Sequence, residues 1–321
     1  MDYTEKIDYS SLSTYMECPR KFLFQYIMHF RPGNKNLDLV FGSCWHYGLE
    51  QVYKSQMVTG NPSVIDATEV AIESFQKLWA LEGKEQWPDH DAIFPKSPGR
   101  ASDMYYDYFK RFLNSDLDER RPIAVEEPFT IDLSQFDTRL PNYIGRIDLI
   151  WEELNGNISI VDHKTAKAMY PISLTAYEVS FQTDGYITAG SLFYDKLPQM
   201  VYNIAICQKS KIDFHRYYIT KRLAAVNQFL QDLRYYCSRI IRDLEQLEQD
   251  KLTATKRNHH ISSFPRCPGS ACTTFMRPCQ YKEICMIRNN PLLWLDKAPQ
   301  GFTVNEWDPD KHEEQMKEKL S

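Results

Sequence analysis

The sequence predicts an α/β fold: a central sheet flanked by helices, with a helical N-terminal region before it and a cysteine-rich segment after it. Three observations carry that expectation. Apolar residues recur at helical spacing through the early part of the chain. Short runs rich in β-branched and aromatic residues, divided by turn formers, then take over. Finally, Cys267, Cys272, Cys279 and Cys285 crowd one stretch near the C-terminus.

Ser10 or Ser11 can cap a helix through LSTYMECPRKFLFQYIMHF, which the Arg31-Pro32-Gly33 turn ends. Pro19 has no N–H to give the helix, so a break into two short helices is expected. Trp45, Leu49, Val52 and Tyr53 form the stripe of a helix from Gly42 to about Met57. Further helices fit Val64–Leu81 and Ala101–Leu113, separated by the loop KEQWPDHDAIFPKSPG. Strands are expected at Ile123–Ile131, Tyr143–Glu153 and Ile158–His163, the last two joined as a hairpin through Asn155-Gly156-Asn157. A helix over Ser180–Tyr194, strands in VYNIAIC and FHRYYIT, and a long amphipathic helix from about Lys221 to Leu252 follow. The tail after Cys285 ends in DPDKHEEQMKEKLS and reads as peripheral. The chain thus divides into a helical region at 1–120, a sheet core at 121–255 and a cysteine-rich region with a charged tail at 256–321.

A hydrophobic fraction of 43% with 13% aromatic residues excludes a disordered chain. Apolar runs such as Met200–Cys207 are too short to span a bilayer, and no basic segment followed by an apolar core opens the chain. The expectation is a cytoplasmic protein with no membrane partner. A net charge of −5, from 38 basic and 43 acidic residues, excludes a generic nucleic-acid coat but not an enzyme with a local carboxylate site. In a cytoplasmic chain, eight cysteines suggest metal ligands, buried thiols or reactive groups rather than disulfides.

The chemistry-bearing pattern is Gly145-Arg146-Ile147-Asp148-Leu149-Ile150 followed by Ile160-Val161-Asp162-His163-Lys164-Thr165. Asp148 and Asp162 can lie on neighbouring strands of a hairpin, and Asp162 and Lys164 share a face because side chains alternate along a strand. Carboxylates there can hold Mg²⁺ or Mn²⁺, which activates water and neutralises a phosphate. A bare D…DxK pattern is short, and on most sheets such residues merely face solvent. Here Asp148 interrupts an apolar strand and Asp162 ends another, where an uncompensated charge is costly.

GRIDLI…IVDHKT resembles motifs II and III of the PD-(D/E)XK nuclease superfamily, in its RecB/AddB-type iron–sulfur exonuclease branch. It is similar to the small CRISPR-adaptation nucleases and phage-borne relatives. The resemblance implies a restriction-endonuclease-like mixed sheet and a Mg- or Mn-dependent DNA nuclease, with 121–255 as its core. Gly42-Ser43-Cys44-Trp45-His46 matches the branch's G-x-x-x-H helix, implying that His46 is a metal ligand with Asp148 and Asp162. Val125-Glu126 before Pro128-Phe129 resembles its acidic strand, with Glu127 the alternative carboxylate. Gln182-Thr183-Asp184-Gly185-Tyr186 matches its Q-x-x-x-Y helix, implying that Gln182 and Tyr186 lie near the DNA and Lys164. Taken singly, His46 suits a packed histidine and Gln182 with Tyr186 a surface pair; their shared order is harder to obtain by chance.

By spacing, the C-terminal cysteines suit either zinc or a cluster. The segment Ser11 to Phe22, with Cys18 before Pro19, resembles the opening of the iron–sulfur nucleases, and Cys279 and Cys285 reproduce their C-x5-C spacing. The resemblance implies a structural 4Fe–4S cluster on Cys18, Cys272, Cys279 and Cys285. Cys267 remains the alternative to Cys272, because Met276 stands where the family often has a cysteine. No Walker-type loop occurs, so a motor would be a separate helicase or a recombination or CRISPR protein. The partner expected directly is DNA, as ends or single strands, with Arg20, Lys21 and Arg146 as contacts. The competing reading is a DNA-binding or scaffold subunit whose nuclease fold is kept for architecture alone.

Overall fold

The computed structural model describes residues 1–253, 260–273, 277–287, 290–295 and 297–306. Its framework is a mixed sheet that begins with β1 (Lys6–Asp8), from the N-terminal stretch. Helix α1 (Tyr9–Glu17) follows at once, capped by Asp8, whose carboxylate accepts from the Ser11 N–H. As expected, the helical run breaks at Pro19: α2 (Pro19–Phe22) restarts there and passes into one π-helical turn. Strand β2 (Phe30–Pro32) then leads to α3 (Leu37–Thr59), α4 (Val64–Glu82) and α5 (Pro98–Glu119). Helix α3 starts five residues before Gly42, because Asn36 caps it by accepting from the Asp38 N–H.

Strands β3 (Arg120–Ile131), β4 (Asn142–Glu153) and β5 (Ile158–Ala166) come next, with β4 antiparallel to β3 and to β5. The expected hairpin is therefore present. Helices α6 (Pro171–Glu178) and α7 (Phe181–Tyr194) precede β6 (Gln199–Cys207), which pairs parallel with β5 and antiparallel with β7 (Ile212–Ile219). β5 runs past His163 to Ala166 because this parallel pairing continues through Ala166–Ile206. The long helix is α8 (Leu223–Thr253); α9 (Lys282–Ile287) and β8 (Phe302–Val304) lie beyond it, β8 pairing with β2.

The sheet separates two apolar cores. One holds Trp45, Phe75, Tyr105 and Phe214, from α3, α4, α5 and the sheet. The other holds Phe22, Tyr143, Ile204, Phe229 and Leu233, from the N-terminal helices, the sheet and α8. Each face of the sheet is thus buried by helices, which is why β6 is apolar almost throughout. The N-terminal region is not purely helical, as β1 pairs parallel with β4 and β2 with β8. Three-residue strands are too short to show alternation in a sequence. Among the described residues no helix is long and apolar enough to cross a membrane.

Arg216 of β7 ties the sheet to α5. It pairs with both carboxylate oxygens of Asp116, and its guanidinium lies 4.0 Å from the Phe112 ring centroid. Both charges are buried, so each depends on the other. Asp116→Ala is expected to cost about 3–5 kcal/mol in urea unfolding; a loss under about 1 kcal/mol would show the pair to be dispensable.

Candidate active site

Leu149 pairs with Val161 in the β4–β5 hairpin, so Asp148 and Asp162 occupy the next facing positions, where the two strands begin to part. Asp162 is 1% exposed. Its Oδ2 lies 2.7 Å from Lys164 Nζ, an ion pair whose angles fall outside hydrogen-bond geometry, so the buried oxygen has no directional donor. Its Oδ1 accepts from Gln182 Nε2 at 3.2 Å, and the same amide donates to the Tyr186 hydroxyl at 3.1 Å. Gln182 and Tyr186 reach the site together because they are one turn apart on α7.

Asp148 is held from two sides. Its Oδ2 accepts from the His163 backbone N–H at 2.9 Å and lies 3.2 Å from His46 Nδ1. His46 is carried by α3, which packs closely because Gly48 gives room: a Cβ there would stand 2.8 Å from the Ala71 carbonyl. Glu126 lies between the pairs Val125–Leu149 and Glu127–Ile147, hence opposite Asp148, and has a positive φ of 54°. That register distinguishes it from Glu127.

The electrostatics follow from burial and crowding. Burial raises the Asp162 carboxyl to about 6; Lys164 opposes the shift and Asp148 adds to it. Burial works the same way on Asp148, but the charge and hydrogen bond of His46 overcome it and hold that carboxyl low. His46 is correspondingly raised despite its own burial, by Asp148. Lys164 is raised too, as Asp162 and Asp148 outweigh its desolvation, so it stays charged. Glu126 is pushed up to about 9 by burial and then by Asp148 and Glu50. Two carboxylates thus stay ionised beside cations, while the third is driven towards its neutral form.

Several residues here escaped the sequence reading. Glu50 is one turn beyond His46 on α3, and that spacing was the available signal. Behind β5, His163 Nδ1 lies 2.9 Å from Asn203 Nδ2, which also donates to the Tyr108 hydroxyl at 2.7 Å. Arg216 donates to that hydroxyl as well. Burial pushes His163 down to about 3, so it is neutral and serves as a hydrogen-bonding strut. Tyr177 of α6 stacks on Tyr202 at 4.2 Å, within electrostatic reach of Lys164. Arg20 is not at this site: it is 6% exposed and donates to the Phe264 carbonyl. Lys21 pairs with Glu17, whereas Arg146 stays beside Glu126.

The N-terminal Cys18 meets the C-terminal segment. Arg20 N donates to the Pro265 carbonyl, and Tyr281 OH donates to the Phe30 carbonyl at 2.8 Å. Burial raises the Cys279 thiol, with added effects from Cys18 and Cys272; burial likewise raises Cys285, with Cys18 and Cys279 adding to it. Cys267 is exposed and Met276 lies outside the described residues. Cys44 and Cys237 are buried thiols pushed up to about 12 by desolvation, as inert core residues are. Among the described residues, no three His, Cys, Asp or Glu side chains form a ready-made metal site.

The sequence profile of the PD-(D/E)XK nuclease superfamily matches residues 7–286. The chain belongs to that superfamily. A Eubacterium rectale protein provisionally described as an exonuclease is similar in structure, at 13% identity over 74% of this chain and 81% of that one, with a TM-score of 0.43. A second structure, that of SSO0001, gives 11% identity over 59% of this chain and 84% of that one, with a TM-score of 0.25. No curated protein matches the sequence.

A pH test follows from Asp162. Its folded-state carboxyl binds a proton more tightly than in the unfolded chain, so ionising it destabilises the fold. In chelator, wild-type stability should therefore fall between about pH 4 and pH 7 relative to Asp162→Asn, by on the order of 1–3 kcal/mol. Parallel stability curves for the two proteins would show that the carboxyl is not raised.

Proposed function

We propose that this PD-(D/E)XK nuclease is a metal-dependent deoxyribonuclease that digests DNA from ends or along single strands. The observation that carries this reading is the convergence of Asp148 from β4, Asp162 and Lys164 from β5, His46 from α3 and Gln182 from α7. The donors suit a hard divalent cation: two carboxylates, an imidazole, and a buried Asp162 oxygen with no directional hydrogen bond. His46, Asp148 and Asp162 would hold Mg²⁺ or Mn²⁺, which supplies an acidified water and neutralises phosphate charge.

The chain's own residues do the rest. The Lys164 ammonium, kept charged by its carboxylate neighbours, stabilises negative charge developing on the phosphoryl oxygens. Gln182 fixes the rotation of the Asp162 carboxylate, and Tyr186 fixes the Gln182 amide. His46 and the His163 N–H aim Asp148, while Glu126 adds a carboxyl on the opposite strand. Hydrolysis transfers the water oxygen to phosphorus and the proton to the departing sugar oxygen. Strand separation is left to another protein, a helicase or a recombination or CRISPR-adaptation partner.

In this reading Cys18, Cys272, Cys279 and Cys285 hold a structural 4Fe–4S cluster joining the chain's ends, with Cys267 the alternative to Cys272. Cys279 lies within electrostatic reach of Cys18 and Cys272, and Cys285 within reach of Cys18 and Cys279, which supports this choice. A cross-link closing so long a loop restricts the unfolded ensemble.

Asp162→Ala and Lys164→Ala should each lower Mn²⁺-dependent cleavage of end-labelled single-stranded DNA by roughly a hundredfold or more while DNA binding persists. Undiminished cleavage would remove these residues from the site. After anaerobic purification, the wild type should contain iron and acid-labile sulfide, Cys18→Ala should lose both, and Cys44→Ala should keep them. Stoichiometric zinc without iron, or full iron in Cys18→Ala, would overturn the ligand set.

A further inference from the structure

A cavity of about 510 Å³ opens beside the active site, and Gln182 belongs to both, since its amide also touches Asp162. Its remaining walls come from β1 with the start of α1, from the β3–β4 hairpin and from Tyr186 of α7. The volume is that of a small-ligand pocket and matches one nucleoside rather than a base pair with both backbones. Phe129, Tyr143 and Tyr186 are buried and make an aromatic floor, while Tyr9 is partly exposed on the wall. Phe129 can lie on β4 only because residue 145 is glycine; a Cβ there would come 2.4 Å from its ring.

The charge around the cavity is mixed. Lys6 and Arg146 are balanced by Glu5 and Asp8, and Asp8 is fixed in place as the cap of α1. A groove tracking a continuous strand needs net positive charge for successive phosphates. Walls that are neutral in sum suit a nucleoside with one flanking phosphate, offering the partly exposed Tyr9 ring for stacking over an apolar floor and carboxylate, amide and hydroxyl groups to the base edge and sugar hydroxyl. A nucleoside inside a strand carries two phosphodiesters; one at its end carries a single one.

We propose that this cavity binds the terminal nucleoside of the substrate strand and so sets the distance from the end to the bond that is cut. The proposal rests on the nuclease reading for its biological sense, but the binding can be measured without cleavage. Thymidine 5′-monophosphate and thymidine 3′-monophosphate are titrated in chelator, by calorimetry and protein NMR, against four proteins: wild type, Lys164→Ala, Ser10→Trp and Thr130→Trp. Ser10 and Thr130 are exposed wall positions, so tryptophan fills the cavity without touching the core. At least one isomer should bind the wild type and Lys164→Ala alike, and both tryptophan variants should weaken it roughly tenfold or more. The apparent KM for a linear single strand should rise in the same two variants.

No binding at millimolar nucleotide, or undiminished binding in both tryptophan variants with wild-type circular dichroism, would overturn the proposal. Nucleotide binding that the tryptophans abolish, in a protein that cleaves nothing, would uphold the cavity and refute the nuclease reading. Lys164-dependent cleavage in a protein with no nucleotide binding would do the reverse.

Discussion

The constraint on which the rest depends is the burial of the Asp162 carboxylate in the middle of β5, directly after an apolar run. Water cannot solvate it there, so the protein must. Lys164 comes from the same strand, the Gln182 amide from α7, and the neighbouring position on β4 presents Asp148. A second carboxylate raises the electrostatic cost, and His46 is brought in from α3 to offset it. An apolar pair at these positions would make a more stable sheet. A buried charged cluster of this kind is what marks the position as the candidate active site.

Such a cluster must be held rigidly, and the means lie behind it. β5 alternates between Asp162 and Lys164 on one face and His163 on the other, where Asn203, Tyr108 and the Arg216–Asp116 pair anchor it. The same His163 supplies its backbone N–H to Asp148. One residue therefore joins the polar strut to the site without being charged itself.

The two chain ends are brought together by contacts independent of any bound group. Phe22 stacks on Phe264, Phe24 packs against Tyr281 at 5.6 Å, and Arg20 bonds to the Phe264 carbonyl. Cys279 and Cys285 pack against the same apolar core. β1, from the same N-terminal stretch, pairs with β4 and forms one wall of the cavity beside the active site.

The sequence by itself determined the helices of α3, α4 and α8, the β4–β5 hairpin and the DxK spacing. Their periodicities and turn residues are local properties that need no partner. Asp148, Asp162 and Lys164 could be singled out because the aspartates interrupt or end apolar runs and the lysine follows at strand spacing, whereas His46, Gln182 and Tyr186 were named through the family resemblance alone. The tertiary structure alone decided that Glu126 rather than Glu127 faces Asp148, because a positive φ and cross-strand register set that choice. It alone removed Arg20 from the candidate DNA contacts, and joined Glu50, Asn203 and Arg216 to the site from distant positions. Burial and register are relations between segments, so Asp162 could be named from the sequence while its raised carboxyl and its partners became visible only in the fold.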